Sequence, residues 1–339
     1  MKSNRKLHGM SNREVNMDEK PLKIVSISIG SSKRDKEFSA EIMNRRVNIS
    51  RVGTDGSFEK AGELMRQMAP EVDCFGLGGM DMYLWTTKRR YIVNDAAKLA
   101  KNAGSTPVVD GSDLKHTYEK RVVQKLFERG ILKTGQHCLM TSGVDRMGMA
   151  QALNEGGMDF IFGDLIFALK IPIGVRTYGQ INFIGTVLLP ILTRLPFIWL
   201  YPTGEKQDTT SPKFGKFFDW ADVIAGDYHY INKYMPMNLS GKTILTNTTT
   251  AEDVEKLRAR DAKLLITTTP RMGGRSFGAN VLQAMIVAIS GKRPEELTWD
   301  NYLEWAEKLQ LEPDIIELNP HTPYRPKAPQ KTEYGSDKK

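Results

Sequence analysis

The stretch Gln136–Asp164 has the residue types and spacing that could hold a nucleotide. A short apolar run, His137–Met140, reads as a buried strand, and a turn of small and polar residues follows it. Met147–Asn154 then reads as a helix, which Gly156-Gly157 stops. Phe160–Phe162 is a second apolar run, with Asp164 just past its end. The whole is a strand–turn–helix–strand unit of the length a dinucleotide half-site needs. In such a unit the turn must let backbone N–H groups approach a pyrophosphate at the helix N-terminus, and a Cβ would block that approach. Laid on a G-x-x-G-x-x-G pattern, Ser142, Asp145 and Gly148 take the glycine places, and Gly143 is the other glycine of the turn. Asp145 opposes a pyrophosphate unless a cation stands between, and Arg146 is the candidate cation. Asp164 lies 21 residues after Gly143, close to the spacing of an acid that binds adenine-ribose hydroxyls. The expected cofactor-binding residues are therefore Ser142, Gly143, Asp145, Arg146, Met147, Gly148 and Asp164, with Thr268 from the strand-end run Thr267–Thr269. The competing reading is a unit of the same topology that binds no nucleotide.

Further candidates stand at the ends of other apolar runs. Gly76, Gly78 and Gly79 follow a short strand pattern, and glycines there permit close ligand approach. Tight packing explains them equally, so Gly78 and Gly79 are substrate-binding candidates with a structural alternative. Gly30–Asp35 could hold an anion or form a solvated turn. Asp227-Tyr228-His229-Tyr230 ends a strand pattern, where α/β sites gather. Lys206 and Arg275, each in a glycine-containing loop, are candidate ligand contacts. Cys74 and Cys138 lie in apolar runs and read as buried, reduced thiols. No Cys/His cluster has metal-ligand spacing, so no metal site is expected.

The elements that must position these residues alternate. Strand and helix patterns follow one another from 22 to about 130, and strands near 137, 160, 221, 243 and 263 fit a doubly wound sheet. The expected fold class is α/β: an N-terminal α/β domain, then a Rossmann-like doubly wound parallel sheet. The expected boundaries are a disordered leader at 1–21, a substrate-side domain at 22–132 and a dinucleotide-binding domain at 133–292. An apolar insertion at 178–218 and a C-terminal helix with a basic tail at 293–339 complete the division. Ile181–Tyr201 is almost wholly apolar, but Arg194, Pro190 and Pro196 argue against a membrane-spanning helix. It reads instead as a buried helix pair, an apolar wall beside a site, or a membrane-surface element. The 339 residues carry a net charge of +8, which argues only weakly for nucleic acid and none is expected. The N-terminus lacks the apolar core of a signal peptide, so the expected address is the cytoplasm.

The order of domains resembles the shikimate/quinate 5-dehydrogenase superfamily, and more closely a bacterial group labelled quinate 5-dehydrogenase. The resemblance rests on Ser28–Arg34, Phe75–Gly79, Pro107–Gly111, Phe162–Leu165, Tyr201–Gln207 and Gly274–Gly278, and spans most of 22–310. It implies hydride transfer between a nicotinamide and a small hydroxylated or carbonyl substrate, with a lysine relaying the proton and a carboxylate holding it. Lys115 with Asp110 is the nearest candidate for that catalytic pair; a helix-start lysine beside a capping Asp113 is the alternative. NAD is the expected cofactor, and NADP fits less well because Asp164 would repel a 2′-phosphate. Two other functions stand beside this one. One is a reductase of an acyl or lipid-like substrate using the 181–201 wall. The other is a non-enzymatic membrane-surface or ligand-sensing protein on a degenerate fold. A small-molecule substrate is the expected partner, with peripheral membrane contact and a homodimer left open.

Overall fold

Two sheets, each built mainly of parallel strands, make this an α/β protein. The computed structural model describes residues 20–197, 213–272 and 275–320. The leader before Lys20, the loop containing Lys206, Gly273-Gly274 and the basic tail lie outside these residues. So does the side chain of Arg275.

In the first sheet the order is β2 (Lys36–Ile42), β3 (Arg45–Gly53), β1 (Leu22–Ser28), β4 (Cys74–Gly78) and β7 (Val108–Val109). β1 runs parallel to both β3 and β4 and is covered on both faces, so Ile24, Val25 and Ile27 are all buried. β2 pairs antiparallel with β3 through a tight turn in which Met43 and Asn44 both have positive φ. That turn geometry matches the twist of the flanking strands. The turn lacks the usual glycine, so β2 has no hairpin signal in the sequence. A small ribbon, β5 (Tyr83–Trp85) with β6 (Arg90–Ile92), stands beyond β4. Arg90 lies in it with its guanidinium over the Tyr83 ring.

In the second sheet the order is β15 (Asp314–Glu317), β12 (Leu264–Thr267), β11 (Thr243–Thr246), β10 (Val223–Ala225), β8 (His137–Met140) and β9 (Asp159–Phe162). All neighbours are parallel except β15, which closes the edge antiparallel to β12. The chain starts at β8, steps outward to β9, then returns to the other side for β10, β11 and β12. The direction of winding therefore reverses between β8 and β10, which opens a crevice beyond their carboxyl ends. A two-strand ribbon, β13 (Arg271–Met272) with β14 (Arg275–Ser276), lies beyond β12.

The chain crosses between the sheets more than once. It leaves β7 through the short helix Ser112–His116. It returns through Phe277 and Gly278 into the helix Ala279–Ser290, which packs on β1 and β4 rather than on the sheet that precedes it. It crosses again to place the helix Trp299–Lys308 and β15. Gly111 sits where the first two crossings touch. Its φ is +89°, and a Cβ there would overlap the Asn280 backbone nitrogen.

Gly111→Ala should therefore destabilise the fold by more than the roughly 1–3 kcal/mol that a strained φ alone costs. Gly104→Ala, at φ +61° with open space around it, is the matched control. Urea denaturation of both variants tests this; equal losses would remove the steric argument.

Candidate functional site

The carboxyl ends of both sets of parallel strands open on one cleft, which encloses about 200 Å³. The first sheet contributes Ser26, Ser28, Gly78 and Gly79, with Arg34, Lys36 and Arg51 nearer the β2–β3 edge. The second contributes Asp145, Arg146, Asp227, His229, Asn247 and Thr248. The crossings contribute Lys115 and Asn280.

A buried ion network forms one wall. Lys115 Nζ donates to Asp81 Oδ1 at 2.5 Å and to Asp145 Oδ1 at 2.7 Å. Asp81 comes from the loop after β4, Lys115 from the first crossing and Asp145 from the turn after β8. Beside it, the wholly buried Arg146 donates to Glu119 Oε1 at 2.6 Å and to Asp227 Oδ2 at 3.2 Å. Asn247 Nδ2 donates to Asp227 Oδ2 at 3.0 Å, and Thr268 Oγ1 to Glu119 Oε1 at 3.2 Å. Burial alone would raise the Asp145 carboxyl, but the Lys115 charge, a hydrogen bond from Asp81 and the Arg146 charge outweigh it and hold Asp145 well below the usual range. Burial, reinforced by the Asp145 charge, pushes Asp81 well above it. The two carboxyls are thus driven apart, one toward the acid and one toward the carboxylate.

The opposite wall carries alcohols and amides already held in place. Asn280 Nδ2 donates to Ser26 Oγ at 2.9 Å, and Arg51 Nη2 donates to Ser28 Oγ at 3.0 Å. Arg51 also pairs with Asp35 at 2.7 Å. Across the cleft, Arg34 Nη1 lies 3.2 Å from His229 Nε2. A guanidinium can only donate, so this imidazole nitrogen accepts.

The structure corrects the expected dinucleotide site. The backbone N–H groups of Gly143 and Val144, which a pyrophosphate would need, donate instead to Asp164 at 3.0 and 2.9 Å. Asp164 therefore closes the turn rather than waiting for a ribose. Asp145 is committed to Lys115, and Arg146 to the buried acids. Gly148 lets its helix approach the first crossing, since a Cβ would meet His116 O at 2.5 Å; Gly143 makes room for Phe162. Ser142 Oγ accepts from Asp227 N at 3.2 Å, and Met147 is in the core. Thr268 serves the Arg146 network.

The proposed Lys115–Asp110 pair does not form. Asp110 accepts from Met82 N at 2.7 Å and Tyr83 N at 2.9 Å, and its other oxygen caps Ser112. Gly78 and Gly79 do line the cleft, but a Cβ on Gly78 would crowd Ser28 and Gly79 has a φ of +74°. Lys206 and the Arg275 side chain lie outside the described residues. Asp81, Glu119, Asn247 and Asn280 were not found from sequence. Asp227 and His229 were flagged by their place at the end of β10.

An apolar cavity of about 170 Å³ adjoins the cleft, with Asp81 and Asp145 facing both. The helix Tyr178–Leu192 roofs it, and Asp164 lies at its polar end. Burial, against the hydrogen bonds from Val144 and Gly143, raises the Asp164 carboxyl to about 6.

Two predictions follow from these groups. Arg146→Met leaves Glu119 and Asp227 buried without their counter-charge and should cost about 3–5 kcal/mol in chemical denaturation. Adding Glu119→Gln and Asp227→Asn should recover part of that loss; no recovery would deny the network its role. Asp164 binds its proton more tightly when folded than when unfolded. Its stabilising contribution is complete below about pH 4 and is lost as pH rises through about 6. Denaturation midpoints across that window should fall less steeply for Asp164→Asn than for the unaltered chain.

No curated protein matches this chain. Among solved structures, a periplasmic solute-binding protein of an ABC transporter from Actinobacillus succinogenes 130z, with bound D-allose, matches at 12% identity. It covers 89% of this chain and 98% of its own, with a TM-score of 0.33. A galactofuranose-binding protein matches at 12% identity over 86% of this chain and 99% of its own, with a TM-score of 0.33. GanP, a glucose-galactose binding protein from Geobacillus stearothermophilus, matches at 10% identity over 88% of this chain and 98% of its own, with a TM-score of 0.35. The family models that match are a domain of unknown function, DUF8753, over residues 23–110, and another, DUF8754, over residues 113–318. Asp164 takes up the turn that a pyrophosphate would need, and neither matching family model is of a dehydrogenase; together these overturn the resemblance to quinate and shikimate dehydrogenases and the NAD-linked activity it implied. The second match spans more than half of the sequence, and the chain belongs to the DUF8754 family.

Proposed function

We propose that this protein binds a small, hydroxyl-rich molecule in the cleft between its two sheets. The observation that carries this reading is the composition of the cleft. Donors and acceptors from both sheets and from the crossings converge on one volume at the winding reversal of a doubly wound sheet, where α/β proteins gather their ligands. A polyol or sugar presents hydroxyls that both donate and accept. The carboxylates of Asp145 and Asp227 suit its donors; the guanidinium of Arg34 and the amides of Asn247 and Asn280 suit its lone pairs. A ligand with a carboxylate or phosphate would place it toward Arg34, Lys36 and Arg51.

The buried carboxyls Asp81 and Asp145, both on Lys115, favour a second reading: acid chemistry on the bound molecule, with Asp81, which burial pushes above the usual range, as the proton donor. It rests on the same cleft and differs only in turnover.

Calorimetric titration with monosaccharides, polyols and sugar acids tests the binding. At least one class should bind and raise the melting temperature by mass action. Arg34→Ala and Asn280→Ala should each weaken that ligand by about tenfold or more, the loss of one charge-assisted or buried polar contact. A ligand that binds unchanged to both variants, or no binding by any class, would sink the reading. Conversion of the bound ligand that stops in Asp81→Asn would select the second one.

A further inference from the structure

The helix Tyr178–Leu192 is apolar on both of its faces. Its inner face, with Ile181, Gly185 and Leu189 buried, covers the apolar cavity and meets the β5–β6 ribbon. Thr87 holds it there, its backbone N–H and hydroxyl both donating to Asn182 Oδ1, at 2.8 and 2.9 Å. Its outer face carries Phe183, Val187 and Ile191, spaced by four residues and therefore aligned in one stripe. They are 69%, 51% and 60% exposed. A helix on a water-facing surface ordinarily turns charged residues outward, and this one turns none. The preceding loop adds Ile171 and Ile173, 42% and 60% exposed.

Among the described residues, the charges that flank this stripe along the chain have one sign. Lys170 stands in the apolar loop, Arg176 just before the helix and Arg194 just after it, all exposed. Among the described residues, no Asp or Glu occurs between Asp164 and Asp219.

We propose that this face docks on an anionic lipid surface, with Phe183, Val187 and Ile191 entering the headgroup boundary and the flanking cations meeting lipid phosphates. An interfacial helix needs an apolar face along its length and basic residues at its margins, and it needs no second protein surface. No helix among the described residues is long and apolar enough to cross a membrane, so the contact is one of lying on the surface. A second copy of the chain fits less well. A two-fold contact would bring the same cations face to face. A stripe one helix wide also falls short of the roughly 800 Å² per partner that a stable dimer buries.

Flotation of the full-length protein with vesicles tests this. One set is phosphatidylcholine alone; the other is phosphatidylcholine and phosphatidylglycerol in equal parts. The protein should float with the mixed vesicles and only weakly with the neutral ones, and added salt should release it. Phe183→Ser with Ile191→Ser should reduce flotation by about tenfold or more. Lys170→Glu with Arg194→Glu should abolish the preference for anionic lipid. All four positions are exposed, and an unchanged circular dichroism melt would show that the variants fold. A Val187→Trp variant should shift its emission to the blue on adding mixed vesicles. Absence of flotation by the unaltered protein would overturn the proposal. So would flotation unaffected by the two serines, or a concentration-dependent dimer in ultracentrifugation that the serines abolish, which would assign the face to a second copy.

Discussion

Arg146 is wholly buried and Lys115 nearly so, two cations that water reaches little or not at all, and the rest of the site follows from that constraint. An ion in a low-dielectric interior must be paired and hydrogen-bonded or its burial costs several kcal/mol. Lys115 meets the requirement with Asp81 and Asp145, Arg146 with Glu119 and Asp227. The four acids come from different parts of the chain: the loop after β4, the turn after β8, the helix Tyr118–Glu128 and the end of β10. Satisfying two cations therefore fixes the first sheet, the first crossing and the second sheet relative to one another. Replacing such a network by well-packed apolar groups could be as stable. Its worth lies in the geometry it specifies at the edge of a ligand-sized cleft.

The same network explains why a dinucleotide turn is present in outline and occupied in fact. A strand, a tight turn and a helix N-terminus expose backbone N–H groups that need acceptors. A nucleotide-binding protein leaves them for phosphate. Here Asp164 supplies both acceptors from the adjacent strand end, and Asp145 points across the turn toward Lys115. A pyrophosphate would have to displace one carboxylate and approach another. The turn has become a structural joint between the polar cleft and the apolar cavity behind it, and Asp81 and Asp145 face both volumes.

That partition gives the protein two chemically distinct sides. The cleft is lined by alcohols, amides and paired charges. The cavity and its roof helix are apolar, and the helix continues the apolar surface outward to solvent. A polar ligand in one and a lipid surface at the other would act on opposite sides of the Lys115 cluster. The helix Tyr178–Leu192 touches both the β5–β6 ribbon beyond the first sheet and the Val144 turn of the second.

Local pattern determined much of the fold. Apolar runs placed β8 and, within a residue or two, β9, β11 and β12, because these segments bury the faces that their own periodicity defines. Strand ends drew attention to Asp145, Asp227 and His229, since parallel sheets collect their functional groups there. Partner choice was not legible. Lys115 beside Asp110 looked like a pair by sequence proximity, yet Asp110 turns to the backbone of Met82 and Tyr83 while Lys115 reaches acids 34 and 30 residues away. Asp164 stood at a ribose-binding distance along the chain, but whether it faced a ligand or its own turn depended on how β9 lay beside β8. The glycines at 143 and 148 carried no label saying whether they admit a phosphate or a neighbouring chain. Sequence fixes which groups can ionise and which segments must be buried. Only the tertiary structure brings distant charges within 3 Å of one another, and at that range Coulomb energy in a dry interior decides which partners they take.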